Sequence, residues 1–213
     1  MPKLPVIDRR HKICVICEGN EDDSYFNRLI ELGLWNSIYD FNTVNAKGAS
    51  NIFARFQDAF QNDRYEIILV FCDTDKAPYR EYLQTKRKIN SFLNKQKAAE
   101  KLVIFANPCT MQIILSHFGD VELKNQGKRT NAVVIEKLTG VKNYDAHEDQ
   151  IRTICSQIFQ RNYPEMKSRV SKINFADNVS CSTNFIVFLQ RFEEDDIKWI
   201  ADIKKYLKKI ILN

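Results

Sequence analysis

Residues 13–20, ICVICEGN, constrain the fold more than any other stretch: an apolar run delivers a carboxylate, then a glycine, then a helix start. Ile13, Cys14, Val15, Ile16 and Cys17 are β-branched or small buried types, the signature of a strand covered on both faces. Glu18 stands at the carboxyl end of that strand. Gly19 is expected to let the backbone turn sharply and Asn20 to cap a helix by accepting a backbone N–H. Glu21, Asp22 and Asp23 place negative charge on the first turn, where the helix dipole favours it. Tyr25, Phe26, Leu29, Ile30 and Leu32 then recur at helical spacing. Open α/β sheets put their chemistry at the carboxyl ends of parallel strands, so Glu18 is a candidate functional residue; the alternative is an acid satisfied by loop amides.

A second acidic site follows at residues 65–75, YEIILVFCDTD, another buried-type strand running into two aspartates. Asp73 and Asp75 are two apart, so in an extended chain their side chains fall on the same side. Strands are expected over 12–17, 40–45, 65–75 and 101–106. They alternate with helices over 21–34, 50–61 (capped by Ser50) and 79–99. That order predicts an α/β fold: a Rossmann-like, mostly parallel four-stranded sheet with helices on both faces. If the first and third strands are neighbours, the crevice between their ends is the topological switch point, and Glu18, Asp73 and Asp75 converge there. Three carboxylates with no fixed cation among them repel one another and raise their proton affinities. A divalent metal removes that cost. Oxygen-only ligands suit Mg²⁺ or Mn²⁺ rather than zinc, and the usual work of such an ion is phosphoryl chemistry.

With 213 residues, 44% of them hydrophobic, the chain is long enough for a real core. Two regions are expected: an α/β unit over 1–120 and a mainly helical extension over 121–213 packed on it, with helices over 132–138, 151–159, 182–192 and 196–211. No run approaches eighteen apolar residues and residues 1–10 lack a signal-peptide centre, so a soluble, cytoplasmic protein without membrane contact is expected. A net charge of +5 allows an anionic partner without requiring one. The six cysteines are scattered, as suits buried reduced thiols; Cys14 and Cys17 form a C-x-x-C, but strand spacing sends them to opposite faces and no second pair exists for zinc.

Residues 80–101 carry seven Lys or Arg against two acids. This is either a solvated helix face or, since it leaves directly from the D-x-D loop, a track for backbone phosphates through Arg80, Lys86 and Arg87. Lys76, Lys128 and Arg129 are further candidate phosphate contacts. Gly127 and Lys128 do not make a P-loop, because Arg129 occupies the Ser/Thr position. The last helix carries Trp199, Ile200, Ile203, Leu207 and Ile210 on one side, for packing on the domain or docking a partner.

A glutamate and glycine after the first strand, with D-x-D after the third, resembles the Toprim domain shared by topoisomerases, bacterial primases and OLD-type nucleases. The closer resemblance is to RloB-like Toprim proteins found beside ATPases in bacterial defence loci. Their first motif is E-G-x-T-E-x-x-Y-F. Glu18, Gly19, Tyr25 and Phe26 fit it, with Glu21 and Asp22 in place of the threonine and second glutamate. Their N-P-C-F-E-x-W motif and following H-F pair are matched by Asn107, Pro108, Cys109, His117 and Phe118, while Thr110, Met111 and Ile113 replace the phenylalanine, glutamate and tryptophan. Residues 178–183, NVSCST, are similar to an N-P-S-T segment of the family.

The resemblance implies a Mg²⁺- or Mn²⁺-dependent nuclease acting on RNA or DNA in antiviral defence, controlled by an ATPase partner, with a homodimer left open. Asp73 and Asp75 would hold metal, and Glu18 would complete the shell or act as general base. His117, on the apolar helix MQIILSHF, is either a satisfied core residue or a group that orients phosphate or shuttles protons. Asn107, held by Pro108, and Gly19 would shape the site. Met111 cannot replace a carboxylate for Mg²⁺ and otherwise reads as a buried helix face. The rival reading is a catalytically degenerate module that binds nucleic acid or the ATPase without cutting; a third is a small-phosphate hydrolase on the same sheet.

Overall fold

The structure, a computed structural model, describes residues 10–75 and 77–208. The apolar run at residues 13–17 forms β1 (His11–Cys17), with all five of its apolar side chains buried. A helix, α1 (Asn20–Glu31), leads to β2 (Tyr39–Asn45); α2 (Ala49–Gln61) leads to β3 (Ile67–Asp73). Then come α3 (Arg80–Phe92), α4 (Ala98–Leu102), β4 (Val103–Asn107) and α5 (Met111–Leu115). The remainder contains α6 (Lys128–Thr139), α7 (Glu148–Ser156), α8 (Tyr163–Val170), β5 (Ser182–Thr183), α9 (Phe185–Glu193) and α10 (Lys198–Lys208).

The sheet order is β2-β1-β3-β4-β5. The first three pairings are parallel, and β1 and β3 are neighbours. The chain goes from β1 outward to β2, then crosses back over β1 to β3, so the connections diverge between β1 and β3 and open a crevice at their carboxyl ends. Both faces are covered. On one, Phe26 of α1, Trp35, Phe41, Phe71 and Phe192 of α9 form an aromatic core, with Phe26–Trp35 centroids 4.8 Å apart and Phe71 stacked on Phe185 at 5.3 Å. On the other, α2 meets α3 through Phe53 and Phe56 against Phe92.

Several sequence expectations are corrected. The sheet has five strands, not four, because Ser182 and Thr183 pair antiparallel with Asn107 and Ala106. The helix expected over 182–192 therefore starts only at Phe185. Asn184 extends this edge with its side chain, accepting the Phe105 N–H at 2.9 Å and donating to the Val103 carbonyl at 2.8 Å. The long helix expected over 79–99 is two: Asn94 adopts a left-handed backbone (φ 49), which Asn tolerates better than most residues. Asn90 clasps that turn, donating to the Gln96 carbonyl and accepting the Ala99 N–H.

Neither expected helix cap acts as one. Gly19 precedes α1, and the Asn20 side chain instead accepts from Asn45 Nδ2; Gly48, at φ 123 where only glycine is at ease, precedes α2 in place of Ser50. The α1 helix ends at Glu31 rather than at residue 34, where Gly33 turns left-handed. The chain after residue 120 packs onto the first part: Arg28 donates twice to the Ile158 carbonyl, at 2.9 and 3.2 Å, and Asn36 N–H reaches the Phe192 carbonyl. On α10, Trp199, Ile200 and Ile203 are buried; Ile210 lies outside the described residues. No helix among the described residues is long and apolar enough to cross a membrane.

Candidate functional site

The crevice at the ends of β1 and β3 holds a cavity of about 340 Å³ lined by Glu18, Glu21, Asp22, Asp73 and Asp75. Glu18 is fixed through its backbone: its N–H donates to the Phe71 carbonyl and its C=O accepts the Gly48 N–H. Its side-chain Oε2 accepts the Asp73 N–H at 3.1 Å, so one oxygen is satisfied by an amide, as the bland reading of Glu18 required, while Oε1 has no donor among the described residues. Asp73 closes β3. Asp75 does not continue the strand; its left-handed backbone (φ 59) turns the chain, yet its side chain still lines the cavity. The two aspartates therefore share the site without sharing an extended strand face.

Thr110 ties the acids together. Its N–H donates to Asp73 Oδ1 at 2.7 Å, its hydroxyl lies 2.9 Å from the same oxygen, and that hydroxyl also contacts Asp22 Oδ1. One hydroxyl thus bridges Asp22 and Asp73. Asp22 also accepts the Gly19 N–H through Oδ2, and Tyr144 donates its phenol O–H to Glu21.

Burial among like charges raises the proton affinity of every one of these acids. Glu18 is pushed up to about 8 by burial and then by repulsion from Asp22 and Asp75. Asp22 rises to about 7, chiefly by burial and against the favourable Thr110 bond. Asp73 rises by burial and by repulsion from Asp22 and Glu18; Asp75 by burial and the nearby Glu81; and Glu21 by burial, partly offset by the Tyr144 bond and Lys128. Lys128 is the one cation lining the cavity among the described residues.

Of the other sequence candidates, Gly19 lines the cavity, but its backbone is extended (φ −147) and a Cβ there would meet nothing within 4 Å, so the sharp turn expected of it is not what it provides. Asn107 and Pro108 line a neighbouring groove instead. His117 is buried away from the cavity wall. Its Nε2 pairs with the Tyr25 hydroxyl at 3.0 Å, its Nδ1 has no partner among the described residues, and burial followed by the Arg169 charge lowers it to about 3. Lys86 is held at 2.6 Å by Asp177 and is not a free phosphate contact, whereas Arg80, Arg87 and Arg129 are exposed. Lys76 lies outside the described residues. Met111 is buried in the cavity wall.

Sequence reasoning missed Glu21 and Asp22 as site residues and Thr110 and Tyr144 as their supports. The signal for Asp22 was its place three residues past the helix cap, where an acid reaches back to the cap N–H. Oxygen-only acids with raised proton affinity suit a hard divalent cation in donor chemistry, although no three His, Cys, Asp or Glu among the described residues stand in a metal-ligand arrangement. Compared with known proteins, the chain matches no family model, no curated protein and no solved structure.

Proposed function

We propose that this protein is a Toprim-type nuclease, dependent on Mg²⁺ or Mn²⁺, that hydrolyses phosphodiesters of RNA or DNA; its setting, from the RloB-like motifs, is bacterial defence under an ATPase partner. The observation that carries the reading is the gathering of five carboxylates, Glu18, Glu21, Asp22, Asp73 and Asp75, at the switch point of a parallel sheet. Five acids around one partly buried cavity beside a single lysine is an arrangement that a bound cation makes favourable.

Glu18, Asp73 and Asp75 would hold the ion, each having an oxygen that no described group donates to. A divalent ion there neutralises the acids and stabilises charge on the phosphate under attack. Thr110 fixes the orientation of Asp73, and Lys128 offers an ammonium to an entering phosphate. Glu18, whose Oε1 no described group donates to, would complete the ion's shell or take the proton of the attacking water.

The test is incubation with labelled tRNA and plasmid DNA in Mg²⁺ or Mn²⁺, beside Glu18→Ala and an EDTA control. Cleavage lost in both controls supports the reading; equal activity in all three refutes it. A second reading, a module that binds nucleic acid without cutting, is favoured by Met111, which sits in the cavity wall where RloB-like proteins carry an acid. Metal-independent binding with no cleavage would select it.

A further inference from the structure

Beside the acidic cavity runs a second groove of about 600 Å³. Asp75 and Gln126 line both, so the two adjoin. Their chemistry differs. The cavity is walled by acids, whereas the groove has Asp75 as its sole acid among the described residues, and its lining includes Tyr79, Asn107, Lys124, Asn125, Gln126 and Thr130.

These side chains hold unused hydrogen-bonding capacity. Among the described residues, the Gln126 carboxamide and the Tyr79 and Thr130 hydroxyls have no protein partner. Asn125 spends its Oδ1 on the Gly127 N–H at 2.8 Å and leaves its NH₂ free. Asn107 spends its NH₂ on the Asp177 carbonyl at 3.2 Å and leaves its Oδ1 without a donor. A carboxamide presents one donor and one acceptor side by side, the pattern that matches a nucleobase edge, and an aromatic ring supplies a face on which a base can stack. The volume lies within the range of small-ligand pockets, which runs from about 300 to 1,000 Å³.

We infer that this groove is a nucleoside pocket, receiving the unpaired base next to the phosphate held at the acidic cavity, so that the substrate is single-stranded nucleic acid or a single-stranded loop. The inference rests on the nuclease reading for the place of the phosphate. A base stacked in a duplex cannot reach the groove without being unstacked and unpaired, which duplex binding must supply from its own energy. Tyr79 and residues of the 124–130 segment both line the groove, and Asp75 and Gln126 are the residues it shares with the acidic cavity.

The experiment is fluorescence anisotropy at fixed salt in Ca²⁺, a hard divalent ion that takes the same oxygen ligands, with a labelled unstructured 12-nucleotide RNA or DNA and the matching blunt duplex. The single strand is expected to bind at least about tenfold more tightly. Gln126→Ala, and Tyr79→Asn, in which asparagine tolerates the left-handed backbone (φ 56) of that position, should each weaken single-strand binding about five- to twentyfold with melting curves unchanged. Duplex binding as tight as single-strand binding, no binding to either, or unchanged affinity in both variants overturns the inference. Because binding and cleavage are read in separate assays, the two ideas fail separately. A protein that binds single strands through these residues yet never cuts in Mg²⁺ overturns the nuclease reading and leaves the pocket standing; one that cuts with both variants unaffected does the reverse.

Discussion

Replacing Glu18 with Gln should stabilise the metal-free protein at alkaline pH. The Glu18 carboxyl is moved from 4.5 up to about 8, by burial first and by Asp22 and Asp75 next. Its folded proton affinity exceeds the unfolded one, so its contribution is complete below pH 4.5 and is lost as pH rises through about 8. Taken alone, that shift is worth about 5 kcal/mol between the two ends of the window. Glu18, Asp22 and Asp73 repel one another, so the same repulsion is not counted three times, and a gain of about 2–3 kcal/mol at pH 8.5 is the working figure. Glutamine keeps an oxygen for the Asp73 N–H and removes only the charge. In a chain of this length the gain corresponds to a rise in melting temperature of about 4–12 °C. The assay is urea unfolding in EDTA, followed by the fluorescence of Trp35 and Trp199, at pH 5 and pH 8.5. The variant should match the wild type at pH 5 and exceed it at pH 8.5. A variant equal to or weaker than the wild type at pH 8.5 would refute the claim that Glu18 is a strained anion.

Thr110→Val should cost about 1–3 kcal/mol in urea unfolding by removing the hydroxyl between Asp22 and Asp73, and Thr110→Ser should recover most of it; equal stability of the valine variant would deny Thr110 its role. His117, lowered to about 3, stays neutral in the folded state while the unfolded chain binds a proton below about 6.5, so it erodes stability as pH falls between those values. Imidazole NMR should show no titration of His117 from pH 7.5 to 5; a midpoint near 6.5 contradicts its burial. Lys86→Met should cost about 1 kcal/mol through the lost Asp177 pair and leave nucleic-acid affinity within about twofold. A large fall in affinity would return Lys86 to a phosphate track.

What could be read in the sequence was what local pattern controls. The β1 and β3 runs are apolar throughout, and a chain that reaches a buried edge with Glu18 or Asp73 must place them at the strand ends. The failures have long-range causes. Lys86 is neutralised by Asp177, 91 positions away, which no charge count along the helix reveals. Residues 80–101 keep a helical pattern through Asn94, and only the Asn90 clasp and the left-handed turn divide them. Ser182 and Thr183 make a strand too short for any periodicity, defined by the edge they meet. Asp22 was read as a first-turn charge, correctly for the helix dipole, but its reach back to Gly19 also carries it into the cavity. Thr110 has no local signature at all, since its importance comes from two acids on other elements.

The lateness of β5 bears on how the chain is synthesised. On a ribosome the first four strands emerge well before Ser182, and the Thr183 hydroxyl meets the Phe105 carbonyl across a separation of 78 residues. Until then Val103–Asn107, apolar but for its last residue, offers a bare border on which a second nascent chain can zip itself. Residues 182–184 are thus a closing stitch, and the interval before it is drawn is the window in which that edge stays open to mispairing. A fragment ending before residue 182 would keep every acid of the cavity and still be expected to clump rather than work.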